Sequence, residues 1–412
     1  MLGRRALERS LARQAAVFEG SIVLTPVDNF PIVDRYGPAV SWLHGLYASD
    51  KQRSEDELRE TAIQFAGRQR ITQDLARIHA NFAGRFDAKH ASLRLLSGLH
   101  AHMILMMGLA RVGDTIALLP VEAGGHFATP GIAERLGLKV LPLAVDSRRM
   151  CVDRAATLAA LASTKPDLLF IDRSEGLKYE DFSWLSDVPA RTSVFDSSQY
   201  AAQIMHRQYA NPFDWGFQLQ VFTLHKSFPG PQKAAVIGRD DDAWAGFKAA
   251  VGAFVSSSHI ENSYVAGLIL DRSEALAVYA ARLVPVAEAL ERALGQRGVA
   301  VVSRDRVGDE QWPGTQHVWI ALRDQARAFD AWRRLERVRI QTNYRLLPYG
   351  LGWGLRLGVT AAVARGLTAA SVLDLADIVA RALHDGSDRE LRHRTTALAR
   401  AMAADSPALV QP

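Results

Sequence analysis

The feature that most constrains this chain is a set of short apolar runs separated by helix-length segments. They fall at 115–120, 139–143, 167–171, 192–195, 219–223 and 234–237. Runs of four to six residues without polar alternation read as strands covered on both faces, and their spacing leaves room for crossover helices. An α/β fold with a mostly parallel central sheet follows, within a large domain over 91–275. Residues 1–90 read as a helical arm, with apolar residues at Leu58, Ile63, Ile71, Leu75, Ile78 and Phe82 predicting helix over 55–82. The remainder, 276–412, reads as a smaller α+β domain. Its expected helices span 273–295 and 370–383, and its expected strands 299–302, 317–321, 337–341 and 356–359. The polar tail 404–412 is expected to fray.

Composition excludes several classes. With 49 Lys and Arg against 44 Asp and Glu, the net charge of +5 is too small and dispersed for a nucleic-acid binder. A single cysteine, Cys151, allows neither an internal disulfide nor a cysteine metal cluster, and suits a reducing, cytoplasmic setting. The most apolar tract, 103–119, is broken by Arg111 and Asp114, so no membrane span is expected. Arg4, Arg5, Arg9 and Arg13 alternate with Glu8 and Glu19 in an expected amphipathic helix over 1–20 rather than an export signal.

Chemistry concentrates at the ends of the expected strands, where ligands bind in α/β folds. Lys226 follows the run 219–223 and precedes a turn containing Gly230 and Pro231. Burial there would lower its pKa and leave an amine able to form a Schiff base with a carbonyl. Asp196 ends the run 192–195, where a carboxylate can pair with a pyridine nitrogen. Ser97 and Gly98 open a helical stretch whose free N–H groups suit a phosphate. Gly124 and Gly125 allow close backbone approach beside His126, and Ser174 follows the run 167–171. Each has a plainer reading taken alone: a loop lysine, a helix cap, a surface histidine, a turn serine.

In order along the chain, Ser97-Gly98, Gly113-Asp114-Thr115-Ile116 through Gly124-Gly125-His126, Ser174, Asp196, Thr223-Leu224-His225-Lys226 with Gly230-Pro231, and Gly354-Leu355-Arg356-Leu357-Gly358 resemble the serine (glycine) hydroxymethyltransferase family of fold-type I pyridoxal-phosphate enzymes. The resemblance spans about 24–365. It implies pyridoxal 5'-phosphate held by Lys226, with Asp196 at the ring nitrogen and His126 stacked on the ring. Ser97 and Gly98 would hold the phosphate, Ser174 the phenolic oxygen, and Thr223 and His225 would flank the lysine. Arg356 would clamp the substrate carboxylate. A homodimer with shared sites is also implied, with Tyr47 and the loop Ser256-Ser257-Ser258-His259 reaching across it.

The chain departs from the family in ways that bear on activity. The family's "YAEG" glutamate is replaced by Ser49, with Asp50 one residue later. Its "ASENF" stretch becomes Pro26-Val27-Asp28-Asn29-Phe30, and the histidine after the pyridine aspartate becomes Gln199. These positions handle folate, the β-hydroxyl and the substrate carboxylate, whereas the cofactor set is intact. The resemblance therefore implies an amino-acid enzyme of aldol type, folate-independent and similar to threonine transaldolases of specialised metabolism. The alternative is an oxygen-dependent decarboxylase or monooxygenase, or another Cα or Cγ transformation of a larger amino acid.

Overall fold

The computed structural model describes residues 4–29, 39–48, 53–60, 65–384 and 388–406. Its centre is a seven-stranded sheet in the order His90–Leu95, Ala234–Gly238, Leu219–Thr223, Thr192–Asp196, Leu168–Ile171, Thr115–Leu118, Lys139–Pro142. The last five strands pair in parallel, and Ala234–Gly238 runs antiparallel to both neighbours. All six expected runs form strands. Alternate side chains feed opposite faces, as a pleated strand requires. Leu168, Phe170, Val194 and Val221 pack into one apolar cluster with Ile104, Leu105 and Phe247, while Leu169, Ile171, Phe195 and Phe222 join the other with Phe82 and Phe86. Burial on both faces explains why these strands carry no polar alternation.

The helix Ser273–Gln296 leads into a second sheet, His317–Arg323, Gly352–Gly358, Asn343–Leu347, which is antiparallel throughout. Helices Gln325–Arg337, Val372–His384 and Asp388–Met402 complete this part of the chain. A two-residue strand, Ile22–Val23, pairs in parallel with Ile340–Gln341 and draws the N-terminal segment onto it.

Several expected elements differ. The expected strand 299–302 makes only an isolated bridge, Val301 to Ile320, as it leaves Gly298 at φ +76°. The segment 337–341 is the end of a helix followed by the short strand Ile340–Gln341. The helical span 55–82 is divided into Glu55–Glu60 and Gln69–Arg85, with Gly67 at φ +71° between them. His90–Leu95 and Asn343–Leu347 were not expected. Both are edge strands, the first reading His-Ala-Ser-Leu-Arg-Leu, too polar to stand out as an apolar run.

Candidate active site

The carboxyl ends of the parallel strands converge on Lys226. The loop after Leu219–Thr223 is closed by Gly230, whose N–H donates to the Leu224 carbonyl at 2.6 Å, and by Leu224 N–H donating to Lys233 at 2.9 Å. Side chains from elsewhere fix it. Asn29 donates to the Lys226 carbonyl at 2.6 Å and to the Tyr279 hydroxyl at 2.9 Å, and Tyr279 donates to the Ser227 carbonyl at 3.0 Å. Among the described residues the Lys226 amine has no hydrogen-bond partner. Burial pushes its pKa down, opposed by the Asp196 charge and reinforced by Arg356. The amine is thereby biased toward the neutral, nucleophilic form.

Asp196 is the last residue of its strand. Burial alone would raise its carboxyl, but hydrogen bonding to His102, the charges of His102 and Lys226, and the Ser198 side chain hold it at about 2. His102 Nε2 lies 2.7 Å from Asp196 Oδ2, and Ser198 N–H donates to Oδ1 at 2.7 Å. His126 sits edge-on to His102, 5.8 Å between ring centres, and stacks on Phe127 at 4.9 Å. Burial, then the neighbouring His102 and Lys226, lower His126 to about 4, so this ring is neutral near pH 7.

Ser97 caps the helix Gly98–Leu109, its hydroxyl accepting from His100 N–H at 3.2 Å. This leaves a helix N-terminus beside the lysine loop, and a Cβ on Gly98 would lie only 2.7 Å from Thr223 Cγ2. Thr223 N–H donates to Ser198 Oγ at 3.0 Å, whereas Thr223 Oγ1 and His225 Nδ1 are buried without partners. Burial, then Lys226, lowers His225 to about 4. Ser174 N–H donates to the Gly124 carbonyl at 2.9 Å. A Cβ on Gly124 would stand 2.2 Å from Glu175 O and one on Gly125 2.2 Å from Leu119 O, so only glycine lets these strand ends close together.

Arg356 is buried, with one terminal nitrogen 3.3 Å from Glu175 and its Nε unpartnered. Glu175 also pairs with Arg345, so two guanidinium groups face one carboxylate and leave a net positive site for an incoming anion. Gln199 accepts from Gln316 at 3.0 Å and lies 3.2 Å from His317, a polar group beneath the same pocket.

Of the expected site residues, Lys226, Asp196, His126, His225 and Arg356 are linked by charge, Thr223 and Asp196 both hydrogen-bond Ser198, Gly98 lies against Thr223 beside the Ser97 cap, and Ser174 is bonded to Gly124. Tyr47 is not drawn in. Its ring packs on Phe65 at 5.1 Å and its carbonyl accepts from Arg68 at 3.1 Å. Phe30, Ser49 and Asp50 lie outside the described residues. Sequence reasoning missed His102, Thr129, Asp172, Glu175 and Arg345. Asp172 and Glu175 had a signal, since they flank Ser174 just beyond a strand end. His102 lies in the first turns of a helix, where a histidine reads as core.

The unpartnered donors, the helix N-terminus and the ionised Asp196 opposite a poised lysine suit a phosphorylated aromatic aldehyde. The fold is that of the fold-type I pyridoxal-phosphate enzymes. No family model matches the chain. It is 28% identical over 337 residues to an L-threonine:uridine-5'-aldehyde transaldolase from Streptomyces sp, covering 78% of each protein. It is likewise 28% identical over 331 residues to the serine hydroxymethyltransferase of Korarchaeum cryptofilum, covering 74% of this chain and 75% of that protein. Its fold matches that of an L-threonine transaldolase from Pseudomonas fluorescens in the internal aldimine state, with a TM-score of 0.83, 21% identity, and 98% and 91% of the two chains covered. At 28% identity over most of its length, the chain is similar to both kinds of relative, the transaldolases and the serine hydroxymethyltransferases.

Proposed function

We propose that the protein is a folate-independent transaldolase that takes a β-hydroxy-α-amino acid such as L-threonine, cleaves its Cα–Cβ bond, and joins the remaining glycyl carbon to an acceptor aldehyde. The observation that carries this reading is the half-buried Lys226 amine set between an ionised Asp196 and the carboxylate-binding Arg356, in a chain whose relatives include threonine transaldolases and hydroxymethyltransferases.

Bound at Lys226, pyridoxal phosphate supplies an aldehyde for the amino acid and an electron-withdrawing ring that stabilises negative charge at Cα. The chain does the rest. Ser97, Gly98 and the helix N-terminus hold the phosphate, and Asp196 keeps the ring nitrogen protonated. Ser174 holds the phenolic oxygen and His126 covers one ring face. Arg356 grips the substrate carboxylate through its bidentate fork. That grip fixes which Cα bond stands perpendicular to the ring, and so whether a proton or the β-carbon leaves. The proton that moves as one Cα–Cβ bond is exchanged for another is that of the β-hydroxyl, and the neutral Lys226 amine would take it up as the first aldehyde leaves and return it to the oxygen of the second.

A homodimer with shared sites is part of this proposal. Leu96, Leu99, Met103, Phe127 and Phe254, around the helix that starts at the site, are exposed apolar side chains in the single chain. Tyr47 and the 256–259 loop would then serve the partner's site. Among the described residues no helix is long and apolar enough to cross a membrane, and a cytoplasmic enzyme with the division 1–90, 91–275 and 276–412 is proposed.

The test is to incubate the purified holoenzyme with L-threonine and an aromatic aldehyde, with folate absent. Acetaldehyde release together with a new β-hydroxy amino acid supports the reading. Turnover that needs tetrahydrofolate, or oxygen consumption in place of acetaldehyde, overturns it.

A further inference from the structure

Behind Asp196 lies a chain of buried polar groups that the proposed reaction does not use. His102 Nε2 is 2.7 Å from Asp196, His102 Nδ1 is 3.2 Å from Thr129 Oγ1, and Thr129 donates to Asp172 Oδ2 at 2.5 Å. All four residues are buried, Asp196 the most exposed at 9%. Phe170 packs edge-on to the His102 ring at 4.9 Å and His126 closes another side. The other titratable groups facing this chain are His126 and Lys226, both in the pocket.

The geometry restricts where protons can be. An ionised Asp196 requires a proton on His102 Nε2. The Thr129 hydroxyl has one proton and two neighbours. If that proton faces Asp172, His102 Nδ1 must bring its own, making a histidine cation beside an aspartate anion. If it faces Nδ1, Asp172 must be the acid and donate to Oγ1, making both residues neutral. With one proton fewer, two lone pairs face each other. With one more, the threonine proton loses both of its acceptors. Unmatched groups of this kind are costly where water is excluded.

We propose that His102, Thr129 and Asp172 hold a single proton between two resting places, and that its position sets how strongly Asp196 attracts the proton on the cofactor's ring nitrogen. With the proton on Asp172, Asp196 faces a neutral imidazole and exerts its full negative charge. With the proton on His102, Asp196 is partly neutralised. No proton enters or leaves during the shift: one O–H bond at Asp172 and one at Thr129 break, while one O–H bond at Thr129 and one N–H bond at His102 form. Burial pushes Asp172 up to about 7, partly opposed by His102 and Thr129, which places its acid form within reach at neutral pH. His102 and Thr129 are thus positioning residues for Asp196. The effect on the ring nitrogen rests on the proposed cofactor site, but the shared proton does not.

The test uses the full chain without cofactor, labelled for NMR at histidine nitrogen and aspartate carboxyl carbon. The proton occupancies of His102 Nδ1 and Asp172 should sum to one from about pH 5 to pH 8, neither titrating alone. Asp172→Asn should lock His102 as the neutral Nε2–H form, Thr129→Val should make the two residues titrate independently, and Thr129→Ser should restore the constant sum. If Thr129→Val does not fold, Thr129→Ser and Asp172→Asn decide. A sum of zero or two, or independent titration in the unaltered protein, overturns the proposal. When pyridoxal phosphate is added, Thr129→Val should displace the pH midpoint of its absorption band and Thr129→Ser should not. A midpoint unmoved by Thr129→Val refutes the influence on Asp196, whereas failure of the cofactor to bind overturns the cofactor reading and leaves the proton count to stand by itself.

Discussion

The Asn29 side chain donates to the backbone carbonyl of Lys226 at 2.6 Å, across 197 residues of sequence. This bond ties the N-terminal segment to the reactive loop, and the same amide supports Tyr279. Asn29→Ala leaves the Lys226 carbonyl and the Tyr279 hydroxyl short of a partner, costing about 1–3 kcal/mol. Denaturant unfolding should show that loss, and cofactor capture by the apoprotein should slow, while Asn29→Asp should not rescue it because a carboxylate cannot donate.

Arg356→Lys should raise KM for the amino acid more than it lowers kcat. A lysine keeps the charge but loses the fork and the contact with Glu175. The loss of a charged hydrogen bond, about 1.5–3 kcal/mol, corresponds to roughly 10- to 100-fold in KM. Steady-state kinetics with L-threonine check it.

Gly125→Ala should destabilise the whole chain. The added methyl would meet the Leu119 carbonyl, which belongs to the backbone and cannot swing aside. About 1–3 kcal/mol of overpacking is expected, read as a lower denaturation midpoint at unchanged slope.

Stability should fall in mild acid. Burial holds His126 and His225 at about 4 and His317 at about 3, below the ordinary 6.5, with nearby cations adding to the effect. The unfolded chain therefore binds more protons below pH 6.5, and this stabilisation is fully present above 6.5 and lost as the pH falls toward 4. Asp28 and Glu180, raised by burial, have the opposite sign, but they are two groups against five, since burial lowers His100 and His206 as well. Thermal unfolding of the apoprotein should show Tm declining between pH 6.5 and pH 4.

The parts of this site readable from sequence were those attached directly to buried strands. Lys226 and Asp196 stand at or just past the ends of largely buried runs, where a charged residue is conspicuous. His102 was hidden because its partner, Asp196, is 94 residues away and only the folding of the helix onto the sheet brings them together. Thr129 was hidden for the same reason, lying 43 residues from its partner Asp172. Arg345 lies on the edge strand Asn343–Leu347, whose half-buried pattern gave no strand signal. The strand expected at 299–302 shows the converse: four apolar residues satisfied the pattern, yet the chain there only borders the strand His317–Arg323.

The central claim is the covalent chemistry of Lys226, and it is tested most directly by reducing the cofactor-loaded protein with borohydride and mapping the modified peptide. A pyridoxyl-phosphate adduct on Lys226, absent in Lys226→Arg, is the predicted result. An adduct on another lysine such as Lys233, or none at all in a protein that binds the cofactor, would contradict it.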